Sequence, residues 1–489
     1  MKDKLIIFFK KYPLFLYLLP VFFVLHGFTE NYDFVPPKDA LVLVIVYMGF
    51  ALAFLLLSWL FYKNWLKAAI IATFIMAFHF FFGSVQDMLR RLSPASFLSR
   101  YVFLIPLFLC MLLVLVIGLK KRKGNIVRLA FYLNILLTLF IVIDIVWLAS
   151  KTIHKKASGL SKEFVSCGNC PRPDVYLVIA DEYVGNSELK EVFHFDDSAF
   201  LNQLKKRGFY TIPNSSSNYN FTPYSVASTL NMDYLDMSAR QPLLGHTYET
   251  IRDNRFLSFL QYHNYRFYNY SYFDFKGQPS YTRETFLPNK TRLITGQTFL
   301  SRVRKELRFL LVTKFKSKTE MRKDAYFSRD NNEKLYELTL AAIEQRTDQP
   351  KFVLAHLMMP HYPYYYDRNG KEFPFESLTE GNQTNREHYT EYLQYANGRL
   401  LALIDHMLAS SPHPPLIILM GDHGFRHFNE KVDPKYYFCN LVSVHLPGND
   451  YTAFTDSLTN VNLLRTVLNT SFGQRLPYLK DTTIIMDNP

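Results

Sequence analysis

Cysteine is scarce in this chain, with four in 489 residues. That excludes a disulfide framework as the main source of stability, and a zinc finger would need a second closely spaced pair. Cys110 lies inside an apolar run, Cys167 and Cys170 form CGNC ahead of the C-terminal half, and Cys439 has no evident partner. A local Cys167–Cys170 disulfide stays open in an oxidising compartment, whereas a thioredoxin-like role does not fit a motif that fails to open a helix after a strand. Basic stretches interleaved with aromatics are also lacking, so the +13 net charge does not point to nucleic acid. Nor is there an internal repeat or a low-complexity tract.

Long hydrophobic runs are what the first 150 residues do contain. Five windows, about 12–28, 40–62, 66–83, 101–119 and 127–149, approach or exceed the roughly 20 residues that cross a bilayer. The first follows Lys2, Lys4, Lys10 and Lys11 as a signal peptide would, but no small-residue cleavage site comes after it and four more runs do. Residues 1–150 are therefore expected to form five transmembrane helices. Lys63, Lys67, Lys120, Lys121, Arg122, Lys123 and Arg128 join the N-terminal lysines on one side, against the smaller set Lys38, Arg90, Arg91 and Arg100. The richer side is expected to be cytoplasmic, which makes this a multi-pass inner-membrane protein with everything after Ser150 outside.

Residues 151–172 read as a polar linker ending near two prolines, and 173–489 as the extracytoplasmic domain. Its strand candidates, VYLVIA (175–180), KFVLAHLM (351–358) and PLIILM (415–420), are continuous apolar runs of the kind buried on both faces of a parallel sheet. Helical patterns lie between them, at SAFLNQLKKRGF ending on Gly208 and over 385–408. The expected class is thus an α/β domain with a mainly parallel central sheet covered by helices. The stretch from about 240 to 345 has weak periodicity and reads as an insertion that could cover or line a pocket.

Four short stretches carry chemistry. Asp181-Glu182 follows the first strand and offers oxygen ligands to a cation, or merely forms a solvated turn. Thr222 precedes Pro223 and a helical run, which suits an N-cap with proline at the first helical position; the same geometry would aim a positive helix end at an anion beside the hydroxyl. His356 and His361, in LAHLMMPHYP, are candidates to donate to a phosphoryl oxygen or protonate a leaving group, or are simply core and turn residues. Gly421-Asp422-His423-Gly424 ends the third strand with an oxygen and an imidazole ligand side by side, a pair suited to Zn²⁺ or Mn²⁺. His427 is near enough to support that pair from behind.

In this order the pieces resemble the membrane-anchored branch of the alkaline phosphatase and sulfatase superfamily, including lipoteichoic acid synthase and the lipid A phosphoethanolamine transferases. The resemblance implies that Asp181, Glu182, Asp422 and His423 hold one divalent metal ion together with the Thr222 hydroxyl. It implies that Thr222 is the nucleophile, and that His361, with His356, binds the substrate phosphate. It further implies a phospholipid donor whose head group moves to an envelope glycan or lipid through a phosphothreonine. The chain departs from sulfatases in lacking Cys-x-Pro-Ser-Arg, so no formylglycine can form at 222 and phosphorus is favoured over sulfur as the reacting centre. Few cysteines mean that the disulfides of the phosphoethanolamine transferases are missing, and the sequence discloses no second set of ligands. A phosphoester or sulfoester hydrolase, or a catalytically silent membrane-tethered protein that binds glycans or acts as a scaffold, stands as the alternative.

Overall fold

The computed structural model describes residues 8–32, 35–92, 97–122, 126–153, 163–165, 171–236, 244–282, 291–315, 317–378 and 380–486. Cys167 and Cys170 lie outside the described residues, while Cys110 and Cys439 are free thiols. The chain divides into two compact units, one of Met1–Lys156 with Leu287–Ser317 and one of Ala157–Phe286 with Lys318–Pro489. This differs from the expected boundary, because a piece of the presumed soluble domain clusters with the apolar helices instead.

In the first unit, four helices among the described residues are long and apolar enough to cross a membrane: Pro37–Tyr62, Trp65–Leu92, Tyr101–Lys121 and Val127–Ile153. The first apolar run is helical over fewer residues. It forms the 16-residue helix Phe15–Glu30, about 24 Å long against a hydrocarbon core of roughly 30 Å. Pro13 explains the late start, since it has no N–H to give to a helical ladder. Asn134, buried on the Val127–Ile153 helix, then satisfies the broken backbone. Its side-chain oxygen accepts from Phe15 N–H at 2.6 Å, and its amide donates to the carbonyls of Phe9 at 2.8 Å and Tyr12 at 2.9 Å. In an apolar medium such groups must find partners within the protein.

The second unit is built on a six-stranded sheet: β1 Val175–Ala180, β2 Tyr210–Thr211, β3 Arg266–Tyr270, β4 Lys351–Leu357, β5 Leu416–Gly421 and β6 Val442–His445. Their spatial order is β2-β6-β5-β1-β4-β3. The pairs β5-β1, β1-β4 and β4-β3 are parallel, as the apolar runs predict, but β6 pairs antiparallel with both β5 and β2, so the sheet is mixed. Every residue of β1, β4 and β5 is buried, including Lys351, whose ammonium donates to three carbonyls at the end of the Phe327–Glu344 helix and lies 3.8 Å from the Asp174 carboxylate. In register, Ala180 stands between Gly421 and Leu357. The residues that follow these strands therefore emerge together along one edge, outside the carboxyl ends where open α/β sheets place ligands.

The glycines at 421 and 424 are demanded by close packing. A Cβ on Gly421 would lie 2.1 Å from the Tyr183 carbonyl oxygen, and one on Gly424 would lie 1.9 Å from that of Tyr436. Gly424→Ala is accordingly expected to destabilise the domain by about 3 kcal/mol or more, seen as a lower midpoint in thermal or chemical unfolding.

Behind the strand ends, Tyr183, Asp197 and Asn397 form a buried ring. The Tyr183 oxygen is 2.8 Å from Asp197 Oδ2 and 2.6 Å from Asn397 Oδ1, and the Asn397 amide donates to Asp197 Oδ1 at 2.8 Å. A phenol has one hydrogen to give, so one of the two oxygens facing it must bring its own. A protonated Asp197 closes the ring, and burial indeed pushes its carboxyl up to about 6. A carboxyl raised in the folded state lets the unfolded chain ionise first, so stability is full below the ordinary value near 4 and falls as pH rises through about 6. Asn can both accept and donate as the acid does. Asp197→Asn should therefore raise the unfolding midpoint at pH 8 by the equivalent of at most about 3 kcal/mol, with little change at pH 4.

Candidate active site and metal centre

Asp181 and Glu182 leave β1 in different directions. Glu182 has φ +57°, a left-handed conformation that side chains other than glycine seldom adopt. Its carbonyl accepts from the Tyr389 hydroxyl at 2.8 Å, and its N–H donates to Asp422 Oδ1 at 2.8 Å. The turn splits two neighbouring carboxylates between two ligand groups. Ligand atoms of Asp181, Asp422 and His423 lie within 4.8 Å of one another, as do those of Glu182, His361 and His427. The second group is one that sequence reasoning missed. His427, expected to support the Asp422-His423 pair, has its Nε2 3.6 Å from Glu182 Oε1 and its ring 5.9 Å from that of His361.

His423 has a defined tautomer. Its Nδ1 is 2.7 Å from the Gly424 carbonyl oxygen, which can only accept, so Nδ1 carries the hydrogen. Nε2 then presents a lone pair, 3.3 Å from Asp422 Oδ2 and 3.2 Å from Thr222 Oγ1. Ser225, one turn along the same helix as Thr222, donates to the Asp422 carbonyl at 2.6 Å and so ties that helix to the end of β5.

Thr222 sits one position later than expected. The helix Thr222–Asn231 is entered through Phe221, whose φ −141° and ψ 130° make it the N-cap, so Thr222 is the first helical residue and Pro223 the second. No side chain caps the helix, which leaves the hydroxyl facing His423. The site residues thus converge from four segments of the chain, with Glu182 and Asp422 meeting across 240 positions.

His356 differs from the expectation of a substrate-binding group. It is fully buried in β4, and its Nε2 lies 2.9 Å from Asp181 Oδ2, so it orients a carboxylate rather than facing an open surface. Burial would raise the Asp181 pKa, but the His356 hydrogen bond and the charge of His361 hold it well below the usual carboxylate range. His361 is half-buried, and its N–H donates to the Asp181 carbonyl at 3.1 Å. Burial opposes its charge, yet the Glu182 and Asp181 carboxylates together push its pKa up. Arg426, also missed from sequence, donates its N–H to Glu182 Oε1 at 3.1 Å and lays its guanidinium 4.7 Å over the Phe221 ring.

These residues fit a divalent cation. Asp181, Glu182 and Asp422 are wholly buried, and Asp181 Oδ1, Glu182 Oε2 and Asp422 Oδ2 have no hydrogen-bond partner in the protein. Clustered carboxylate oxygens left without a partner at that depth would cost several kcal/mol each. Carboxylate oxygens mixed with imidazole nitrogens are the donor set of Zn²⁺ or Mn²⁺ rather than of Ca²⁺.

Comparison with known proteins identifies a family. A family model described as sulfatase matches residues 180–465. Similar solved structures include the C-terminal periplasmic domain of EptC from Escherichia coli, at 12% identity over 65% of this chain and 87% of that one, with a TM-score of 0.41. Another is the periplasmic domain of the phosphoethanolamine transferase EptC from Campylobacter jejuni, at 13% over 62% and 90%, TM-score 0.39. The integral membrane lipooligosaccharide phosphoethanolamine transferase EptA from Neisseria meningitidis is 12% identical over 94% and 95%, TM-score 0.36. No curated protein matches the sequence significantly.

Proposed function

From the premise that the chain belongs to the sulfatase family, we propose that it is a membrane-bound, metal-dependent phosphotransferase that moves a phospholipid head group onto an envelope glycan or lipid through a phosphothreonine at Thr222. The observation that carries this reading is the 3.2 Å approach of the Thr222 hydroxyl to His423 Nε2 beside buried carboxylate oxygens that lack partners. Threonine at that position supports phosphorus over sulfur, because it cannot become the formylglycine that sulfatases use. Four helices of membrane-spanning length support a lipid donor.

Asp181, Asp422 and His423 would hold one divalent cation, and Glu182, His361 and His427 offer a second group of ligands. Bound there, a cation supplies Lewis-acid charge to a hydroxyl and to phosphoryl oxygens. The chain's own residues do the rest. The Thr222 oxygen attacks phosphorus from the start of its helix, whose positive end favours the anionic centre. The bond from phosphorus to the diacylglycerol oxygen breaks. With no cation in the Glu182, His361 and His427 group, His361 keeps a proton at hand and gives it to that departing oxygen. In the second step an acceptor hydroxyl attacks the same phosphorus and returns its proton to His361, the Thr222 ester breaks, and the threonine oxygen regains from water the proton it released to water on its own attack.

The test is to incubate the purified full-length protein with phosphatidylethanolamine or phosphatidylglycerol labelled in the head group. The reading requires diacylglycerol release that depends on an added acceptor glycan or lipid, with label appearing on the acceptor. Free labelled head group at the same rate without acceptor would make the protein a hydrolase. No release from either lipid, together with no phosphothreonine, would leave a silent tethered protein.

A further inference from the structure

The Leu287–Ser317 stretch contributes nothing to the site and belongs to the helical unit. Its main element, the helix Phe299–Thr313, is fixed to the Trp65–Leu92 helix by apolar, ionic and backbone contacts. Phe299 packs against Phe78 and Phe82, with ring centroids 5.1 and 5.0 Å apart. Arg302 pairs with Asp87 at 2.5 Å. Gly83 N–H donates to the Gln297 carbonyl at 2.7 Å, an approach that a side chain would block, since a Cβ there would lie 2.3 Å from the Gln297 amide oxygen.

These contacts set the depth of the helix. The apolar span runs to Arg90, and Gly83 precedes that end by roughly 10 Å of helix axis. Tyr101, at the start of the next span, stacks on Phe82 at 5.4 Å, and tyrosine is characteristic of the level where acyl chains meet head groups.

Away from the Trp65–Leu92 helix, Leu300 is 64% exposed, Leu307 55% and Leu311 42%, and their spacing places them on one stripe. Phe309 and Phe315 are exposed as well. The same segment carries Arg302, Arg304, Lys305, Arg308 and Lys314 against one acid, Glu306. We propose that Phe299–Thr313 is an interfacial helix that docks on an anionic phospholipid leaflet, sinking Leu300, Leu307 and Leu311 to the acyl boundary and setting its basic side chains among lipid phosphates. Lipid is favoured over a second copy of the chain because a two-fold contact would bring this strongly basic face against itself. The spanning helix beside it already fixes its level in the bilayer.

The experiment uses the full-length protein in nanodiscs containing a phospholipid with a diazirine near its glycerol backbone, followed by photolysis and peptide mass spectrometry. One set of discs is phosphatidylcholine alone; the other includes phosphatidylglycerol. The expected result is lipid adducts on Leu300–Leu311, with several-fold higher yield in the anionic discs. Yield should fall several-fold in a Leu300→Gln, Leu307→Gln, Leu311→Gln variant whose spanning helices still label as before. Labelling no greater than that of the basic helix Ser198–Lys206 in the other unit would overturn the proposal. So would cross-links from this segment to a second chain in place of lipid.

Discussion

Thr222→Ala should lower kcat by roughly four orders of magnitude or more, the scale seen when a covalent nucleophile is removed. Folding should survive the change, because the hydroxyl does not cap the helix that begins there. Thr222→Ser keeps an oxygen at the same distance from His423 and should retain measurable turnover, whereas alanine should not. Turnover retained in the alanine variant would place the nucleophile elsewhere, with Ser225 as the nearby hydroxyl to examine. A phosphate ester found on Thr222 by mass spectrometry, after mixing with donor and without acceptor, would identify the oxygen directly.

The second large effect concerns the metal. Asp422 serves twice: its Oδ1 accepts the Glu182 N–H at 2.8 Å, and its Oδ2 is buried without a partner. Asp422→Ala should abolish both turnover and stoichiometric divalent metal measured by elemental analysis. In the unaltered protein, chelation should lower the unfolding midpoint, and returning Zn²⁺ or Mn²⁺ at about a thousand times its dissociation constant should restore about 4 kcal/mol. If chelation leaves the midpoint and the activity unchanged, the two ligand groups are polar clusters and not a metal centre. His356→Ala is a milder version of the same test, since it removes a positioning hydrogen bond to Asp181 and not a ligand. It should weaken metal affinity by about 10- to 100-fold.

The sequence discloses this site unevenly, for physical reasons. β1, β4 and β5 are readable because strands buried on both faces are unbroken apolar runs, and the acids and histidine that end β1 and β5 are visible as abrupt breaks in them. β3, RFYNY, and β6, VSVH, mix polar and apolar residues and have no such signature. The second ligand group was invisible for another reason. It depends on a left-handed turn at Glu182, which no residue type there announces, and on a loop that carries His427 back towards His361. The only hint was a second imidazole four residues beyond His423. The first apolar run, 12–28, is helical over Phe15–Glu30, with Pro13 ahead of it and Asn134, about 120 positions away, taking up the backbone groups at its start.

The path of the chain also bears on how the catalytic half can be handled in isolation. It leaves that half after Phe286 and rejoins it at Lys318. A single cut beyond Ile153 would release a polypeptide still bearing a basic stretch with exposed Leu300, Leu307 and Phe309, and such a fragment should clump in water. Excising 287–317 and bridging the gap with a short flexible tether is the route to a well-behaved soluble enzyme fragment.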